Sequence, residues 1–348
     1  MSAEIIHFPT QPTRAARRLE WFAQQRSVLL AIGALYFGLR VGALFFDIAV
    51  PPEAQWHHET ALALAVGGGY FAAPGDPAIF TPIGWPMVLS LAYARFGASA
   101  VTLGLFNLAN ALAIGGLTLA LGRRLFANEA AARSGLLLLA ISPLAVTSVP
   151  LAGPGLFLTA LVLSGCWLVV VRTNRWHLVS AGLVFALAAL TEPASLLVPA
   201  LVFVLDALRA PFTWRRFGGV LGEGVLVLGI ALLATTPWTW RYLDHPEAFL
   251  ARVPAAVNLG EILTRLGTAQ LAWSALILAA SASALMVALL QRRGPGWWIL
   301  PYAVLLGAAL APAPNLLAAA LTLLCLPAGG FTIWCWQRIA ERRPKRPQ

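Results

Sequence analysis

Charge is scarce in this 348-residue chain: charged residues make up 11% of it and hydrophobic residues 59%. The mean hydropathy is +0.77. A soluble domain of this length does not need so much apolar surface, which argues against that class. Strict alternation of polar and apolar residues, the mark of a transmembrane barrel, is also missing. Because helices satisfy their own backbone groups in lipid, the long apolar runs predict an all-α polytopic membrane protein.

Cysteine is equally rare. Cys166, Cys325 and Cys335 all lie in apolar segments, with neither pairing nor metal-ligand spacing. We therefore interpret them as small hydrophobic side chains within helices.

Basic residues outnumber acidic ones, and the net charge is 24 − 14 = +10. In a soluble protein this excess would suggest a nucleic-acid partner. Here the arginines cluster in short loops between apolar runs, which is the positive-inside pattern of membrane proteins. The sequence therefore predicts a multi-pass membrane protein with no nucleic-acid partner. The clusters expected on the cytoplasmic side are Arg123, Arg124 and Arg133; Arg172 and Arg175; Arg209, Arg215 and Arg216; Arg292 and Arg293; and the tail from Arg338 to Arg346.

About ten transmembrane helices fit this charge distribution, with both chain ends in the cytoplasm. We predict a cytoplasmic tail over 1–27, one transmembrane domain over 28–337 and a basic tail over 338–348. The first tail is polar and precedes an uncleaved first span. The candidate spans are Val28–Ile48, Val101–Leu121, Gly135–Pro150, Leu156–Val171, Leu178–Leu190, Ala194–Leu208, Val220–Pro237, Leu271–Leu290, Trp297–Ala311 and Leu316–Trp336.

The segment Ile83–Phe96 is ambiguous: it could cross the membrane, re-enter it or lie at the interface. A separate crossing would place Arg123 and Arg124 outside, so we disfavour it. Two longer polar connections, 49–82 and 241–270, are then expected on the outer face.

The first outer connection has an unusual composition. Between Val41 and Ala94 there is no Lys or Arg, but there are four acids, namely Asp47, Glu53, Glu59 and Asp76. A helix over Ala54–Val66 would place Glu53 and His57 one turn apart on one side and His58 on a neighbouring side. The glycines of 67–69 would end that helix.

Two readings of this helix need no catalysis. It could lie at the interface with His57 and His58 solvated and its aromatic neighbours Trp56, Tyr70, Phe71 and Trp85 at headgroup level. It could also hold zinc through Glu53, His57 and His58. The zinc site is less favoured, because adjacent histidines diverge on a helix and no HExxH motif is present.

The ordered motifs here resemble a known family. "EAQWHHETALALAVGGGYF", followed by "FTPIGWPMVLSLAYARFG", is similar to the start of the GT-C membrane glycosyltransferases, in particular proteins like the bacterial protein O-mannosyltransferases and the lipid A aminoarabinose transferase. Glu53 stands where the family usually has Asp, and 67–70 matches its glycine turn. Thr81–Pro86 matches its proline motif. "TPWTWRY", at 236–242, resembles its later Pro-Trp-x-x-Arg motif.

This resemblance implies a GT-C-like helical bundle in the bacterial cytoplasmic membrane, and it implies glycosyltransferase activity. The enzyme would move a sugar from a polyprenyl-phosphate-linked donor to an envelope acceptor at the outer face. Glu53 would take the proton of the acceptor hydroxyl, and Arg241 would hold the leaving phosphate. The implied substrate-binding residues are His57, His58, Tyr70, Trp85 and Arg241. No cofactor is firmly implied, and a divalent metal stays an open alternative.

The chain also departs from the family pattern. Gly153 lies where relatives often carry an acid, Glu192 replaces an arginine and Thr81 replaces a basic residue. The alternative is therefore a non-catalytic relative that binds a lipid-linked glycan or serves as a subunit of an envelope complex. A secondary transporter is the least favoured class, because the sequence shows no internal symmetry.

The positions of Arg40 and Arg241 lead to two expectations about their surroundings. Arg40 lies within the first span, where a charge usually faces a partner or a cavity, and Asn107 and Asn110 are its expected partners. We also expect Glu53, His57 and Arg241 to line one outer cavity. An acid opposite an arginine suits both a phosphate-holding site and a plain salt bridge, and both remain open.

Overall fold

The computed structural model describes residues 14–46, 52–68, 82–208, 213–243, 268–290, 300–310 and 314–342. These residues form fourteen α-helices, with no strand among them. In chain order the helices are α1 (Arg14–Gln24), α2 (Arg26–Ala43), α3 (Pro52–Ala65), α4 (Gly84–Phe96), α5 (Ala100–Phe126), α6 (Glu129–Ala140), α7 (Pro143–Thr147), α8 (Gly155–Val171), α9 (Arg175–Thr191), α10 (Leu197–Ala207), α11 (Trp214–Leu243), α12 (Thr268–Leu290), α13 (Leu300–Leu310) and α14 (Pro314–Arg342).

In the described part of the chain, five helices are long and apolar enough to cross a membrane. They cover Arg26–Ala43, Ala100–Phe126, Trp214–Trp238, Gln270–Ala288 and Asn315–Arg338. Four shorter apolar helices accompany them, at Gly155–Val171, Arg175–Thr191, Pro193–Ala207 and Leu300–Ala309. The all-α membrane class is thus confirmed, and the number of crossings stays a prediction.

One predicted span is broken in the structure. Helix α6 ends at Ala140 and the short α7 begins at Pro143, so 135–150 is not a continuous helix. Proline lacks an N–H and pushes the residue before it out of the helical region. Ser142 accordingly has an extended backbone, with a ψ of 117°.

Helix α14 forms the centre of the bundle. It packs against α6, α8, α12 and α13, and 67% of its apolar window is buried, against at most 39% for the other candidate spans. Its crossing with α6 is close because glycines meet there: a Cβ atom on Gly329 would collide with the backbone nitrogen of Gly135. Small residues at such crossings let membrane helices approach closely.

Helices α3 and α4 form a pair at one end of the bundle, which we call the loop end. They pack against each other, and α4 also contacts α5 and α9. At about 1.5 Å per residue, the 13 residues of α4 measure about 20 Å, which is shorter than the roughly 30 Å hydrocarbon core. The ambiguous segment is therefore a short helix docked on the bundle, and its not crossing the membrane separately stays a prediction.

The opposite end is held by arginine contacts. Arg172 pairs with Asp206 on α10 and with Glu223 on α11, at 2.5 and 2.6 Å. Arg133 donates to the carbonyl oxygens of Phe22 and Gln25 at 2.7 and 2.8 Å, which fastens the start of α6 to the amino-terminal helices. These two predicted loop arginines therefore lie at the end away from α3.

Candidate functional site

The predicted helix of the first connection is present as α3. It begins at Pro52, a residue suited to a first helical position because its missing N–H needs no partner there. Gly67 adopts a φ of +78°, and the Gly68 N–H donates to the Ala63 carbonyl at 2.8 Å. This closing bond across a left-handed glycine confirms that the glycine run ends the helix.

His57 lies inside the protein, with 5% of its surface exposed. Its ring lies 4.6 Å from the Trp56 ring, and its Nδ1 has no hydrogen-bond partner. Burial disfavours the charged imidazolium and lowers the His57 pKa from 6.5 to about 4. The hydroxyl of Thr60, one turn further along α3, is also buried without a partner. The expectation of a solvated His57 is wrong.

His58 joins α3 to α4. Its Nδ1 lies 2.8 Å from the hydroxyl oxygen of Tyr93, and the two rings meet edge to face at 5.4 Å. Tyr93 is 3% exposed, and the sequence analysis missed it. Its signal is the four-residue spacing of Trp85, Leu89 and Tyr93, which places three large side chains on one face of α4.

Trp85 is completely buried. Its indole N–H donates to the Ala152 carbonyl, and its ring packs against Phe106 and Phe157 at 5.7 and 5.4 Å. These contacts give Trp85 a packing role, and its predicted contact with substrate stays a prediction. Trp85 anchors the loop helices to the connection between α7 and α8.

Glu53 is the second residue of α3, one turn before His57. An acid in the first turn of a helix interacts favourably with the positive end of the helix dipole. Arg241 lies in the last turn of α11. The side chains of both residues, together with Tyr70 and Thr81, lie outside the described part of the chain. The expectation that Glu53, His57 and Arg241 share a cavity therefore stays a prediction.

Metal ligands do not converge in the described ranges, which contain no group of three or more His, Cys, Asp or Glu side chains. The two histidines of α3 face different surroundings: His57 is enclosed and unpartnered at Nδ1, whereas His58 contacts Tyr93.

Arg40 is buried beneath the loop end, with 1% of its surface exposed. It donates to backbone carbonyl oxygens of Tyr36, Leu139 and Ala140 at 3.0, 3.1 and 3.3 Å. The prediction that Asn107 and Asn110 serve it is wrong. Their amides donate elsewhere, because the turn before α8 and the preceding helical turn present nearer carbonyls: Asn107 to Val149 and Leu151, and Asn110 to Phe106.

The helical architecture resembles that of the GT-C membrane transferases. ArnT from Cupriavidus metallidurans, solved bound to undecaprenyl phosphate, is similar at a TM-score of 0.65 and 18% identity over 90% of this chain. The archaeal oligosaccharyltransferase AglB from Archaeoglobus fulgidus, solved with an inhibitory peptide and a dolichol-phosphate, is similar at a TM-score of 0.55 and 14% identity over 94% of this chain.

Sequence identities of 18% and 14% show a similar fold and nothing further. The chain spans 63% of ArnT and 53% of AglB, less than two thirds of either. No family model and no curated protein sequence matches it.

The burial of His57 makes the docking of α3 dependent on pH. Its pKa in the folded protein, about 4, lies below the ordinary histidine value of 6.5, so between these two pH values the undocked state binds more protons than the docked state. The contribution of neutral His57 to the stability of docked α3 is fully present above about pH 6.5. It falls as the pH falls, and about 3 kcal/mol of it is lost at pH 4. Hydrogen exchange of α3 should accelerate over this window in the wild type.

The His57→Asn variant removes the titrating group, so its α3 exchange should vary less with pH. His177→Asn at the start of α9, on an exposed surface, should leave the wild-type profile intact. An unchanged slope in His57→Asn would refute this assignment.

Proposed function

We propose that the chain is a glycosyltransferase that moves a sugar from a polyprenyl-phosphate-linked donor to an envelope acceptor at the outer face of the membrane. The observation that carries this proposal is the α3–α4 pair docked on a GT-C-like bundle. That pair contains the residues in which the motifs of this chain resemble the family, and two solved proteins of similar fold hold polyprenyl or dolichol phosphate.

The proposed chemistry begins at Glu53. Its carboxylate accepts the proton of the acceptor hydroxyl as that oxygen attacks the anomeric carbon, and the bond from this carbon to the phosphate oxygen breaks. Arg241 neutralises the phosphate that leaves, since a guanidinium matches phosphate oxygens in charge and geometry. Trp85 and the His58–Tyr93 contact hold α3 in place.

The orientation follows from the same proposal: α3 faces the outside, and the arginine-bearing end faces the cytoplasm. Gln55, which is exposed on α3, and Asn174, which is exposed before α9, are suitable positions for labelling. In a chain carrying Cys335→Ser, a cysteine at position 55 should react with an impermeant thiol reagent in intact cells, and one at position 174 only after permeabilisation. The reverse pattern would contradict this orientation.

A mass comparison of envelope glycans and lipid-linked sugars tests the proposal in cells with and without the gene. Loss of the chain should remove a sugar from an envelope component and raise the level of its lipid-linked donor. Unchanged glycans together with an unchanged donor pool would count against the proposal.

The second candidate is a non-catalytic subunit of an envelope complex. It is favoured by Glu192, an acid that ends α9 at the loop end where relatives carry a phosphate-compatible arginine, because a carboxylate repels phosphate. Its test is affinity purification from the native membrane. A stoichiometric partner, combined with full function of Glu53→Gln, would favour this candidate over the enzyme.

A further inference from the structure

A small cavity lies beside Arg40, between α2, α5, α7, α8 and α14. It holds about 30 Å³, enough for roughly two or three water molecules and too little for a sugar ring. None of its lining residues belongs to α3 or α4, so it is separate from the proposed reaction site. Its polar lining consists of Tyr36, Arg40, Ser142, Ser148, Thr159 and Thr322.

The guanidinium of Arg40 is only partly satisfied. Its three hydrogen bonds run from the terminal nitrogens to backbone carbonyls, while Nε is buried without a partner. Among the described side chains, no carboxylate forms an ion pair with Arg40. Carbonyl dipoles do not neutralise a full charge, and a buried cation in a membrane-spanning bundle is costly until an anion compensates it.

Hydroxyl groups supply further donors around this cation. Thr159 and Thr322 donate to the carbonyls of Gly155 and Ala318 within their own helices, at 2.7 and 3.0 Å. Such hydroxyls can rotate towards a ligand. The hydroxyl of Ser142 has no hydrogen bond among the described residues.

The start of α8 adds a third positive feature. Gly155, the first residue of this 17-residue helix, lines the cavity, and no side chain caps the helix at Pro154. The free N–H groups and the positive dipole end of a helix start favour an anion. Gly153, which lies just before this start, carries no charge that would oppose an anion.

We propose that this cavity binds a phosphate group, carried either by a membrane lipid or by a soluble phosphate. A tetrahedral anion can accept hydrogen bonds from several directions at once, which matches donors placed on the three helices α2, α8 and α14 and on the turn at Ser142. Its charge would compensate Arg40. This site is independent of Glu53, and it binds whether or not the chain transfers sugar.

Two probes identify the source of the phosphate with the purified full-length chain. Inorganic phosphate is compared with chloride at equal ionic strength by thermal unfolding. Nanodiscs containing phosphatidic acid are compared with nanodiscs of phosphatidylcholine by native mass spectrometry of the lipid that remains bound. A shift with phosphate alone indicates a soluble ligand, and retention of phosphatidic acid indicates a lipid.

Variants show whether the binding occurs at this cavity. Thr159→Val keeps the side-chain volume and removes one donor, so affinity should fall about tenfold. Arg40→Gln should abolish binding. If Arg40→Gln does not fold, Ser142→Ala replaces it as the test, because it preserves Arg40 and removes one hydroxyl donor. The matched control is Arg95→Gln, an exposed arginine at the end of α4, which should bind as the wild type does.

Selective binding in either arm that weakens in Thr159→Val or Ser142→Ala supports the site. The proposal is overturned if neither probe binds, if chloride acts as well as phosphate, or if the cavity variants bind normally.

Discussion

Replacing Glu53 by Gln is expected to lower the rate of sugar transfer at least about a hundredfold, since a positioned general base contributes 10² to 10⁴ in rate. The amide keeps the size of the side chain but cannot accept the hydroxyl proton. Because glutamate and glutamine side chains are nearly the same size, the exchange should leave the fold of α3 intact. The measurement is the initial rate of label transfer from a lipid-linked donor fraction by equal amounts of each purified variant.

Glu59→Gln is the matched control for this experiment. Glu59 lies on the same helix, is exposed and accepts a hydrogen bond from Gln55 at 2.9 Å. Its loss should change the rate by less than a few-fold. Full turnover by Glu53→Gln would remove Glu53 from the mechanism, and equal losses in both variants would point to the overall charge of the loop instead.

Gly84→Ala is expected to undock the loop helices. A Cβ atom at Gly84 would lie 2.5 Å from the Thr191 hydroxyl and 2.7 Å from the carbonyl carbon of Leu190. Backbone atoms of α9 cannot yield as a flexible side chain can, so we expect a loss of about 2 to 3 kcal/mol in stability. Hydrogen exchange should then rise in α3 and α4, and transfer activity should fall with it.

Gly116→Ala provides the comparison, because a Cβ atom there meets open space on α5. That exchange should be neutral or slightly stabilising, since alanine favours helices over glycine by up to about 1 kcal/mol. A Gly84→Ala variant as stable as Gly116→Ala, with unchanged exchange in α4, would show that this contact does not hold the loop helices.

Local patterns were enough to predict much of the fold. The hydropathy runs indicated most of the helices, and the glycines after Ala65 correctly predicted the end of α3. The 13-residue length of α4 is consistent with the prediction that Ile83–Phe96 does not form a separate crossing. The exception was 135–150, which was predicted as one span from its hydropathy alone. The proline at Ser142–Pro143 indicates a helix break there, and that signal was not used.

Side-chain environments were less predictable, because they depend on contacts between distant segments. The burial of His57 depends on the segments that pack against α3, and the carbonyl partners of Arg40 come from the end of α6, about a hundred residues away. Trp85 looked like an interfacial aromatic but packs beneath the connection between α7 and α8. Each of these side-chain environments was predicted wrongly because the composition of a helix does not show which segments pack against its faces.

Mass spectrometry of the lipid products formed by the purified chain tests the central claim most directly. When the protein is incubated with lipid-linked sugars and an envelope acceptor fraction, the account predicts one free polyprenyl phosphate for each sugar transferred. Glu59→Gln should give the same ratio and Glu53→Gln almost no release. If the wild-type chain binds the lipid fraction but releases no polyprenyl phosphate with any acceptor fraction, the account of this protein as a transferase is contradicted.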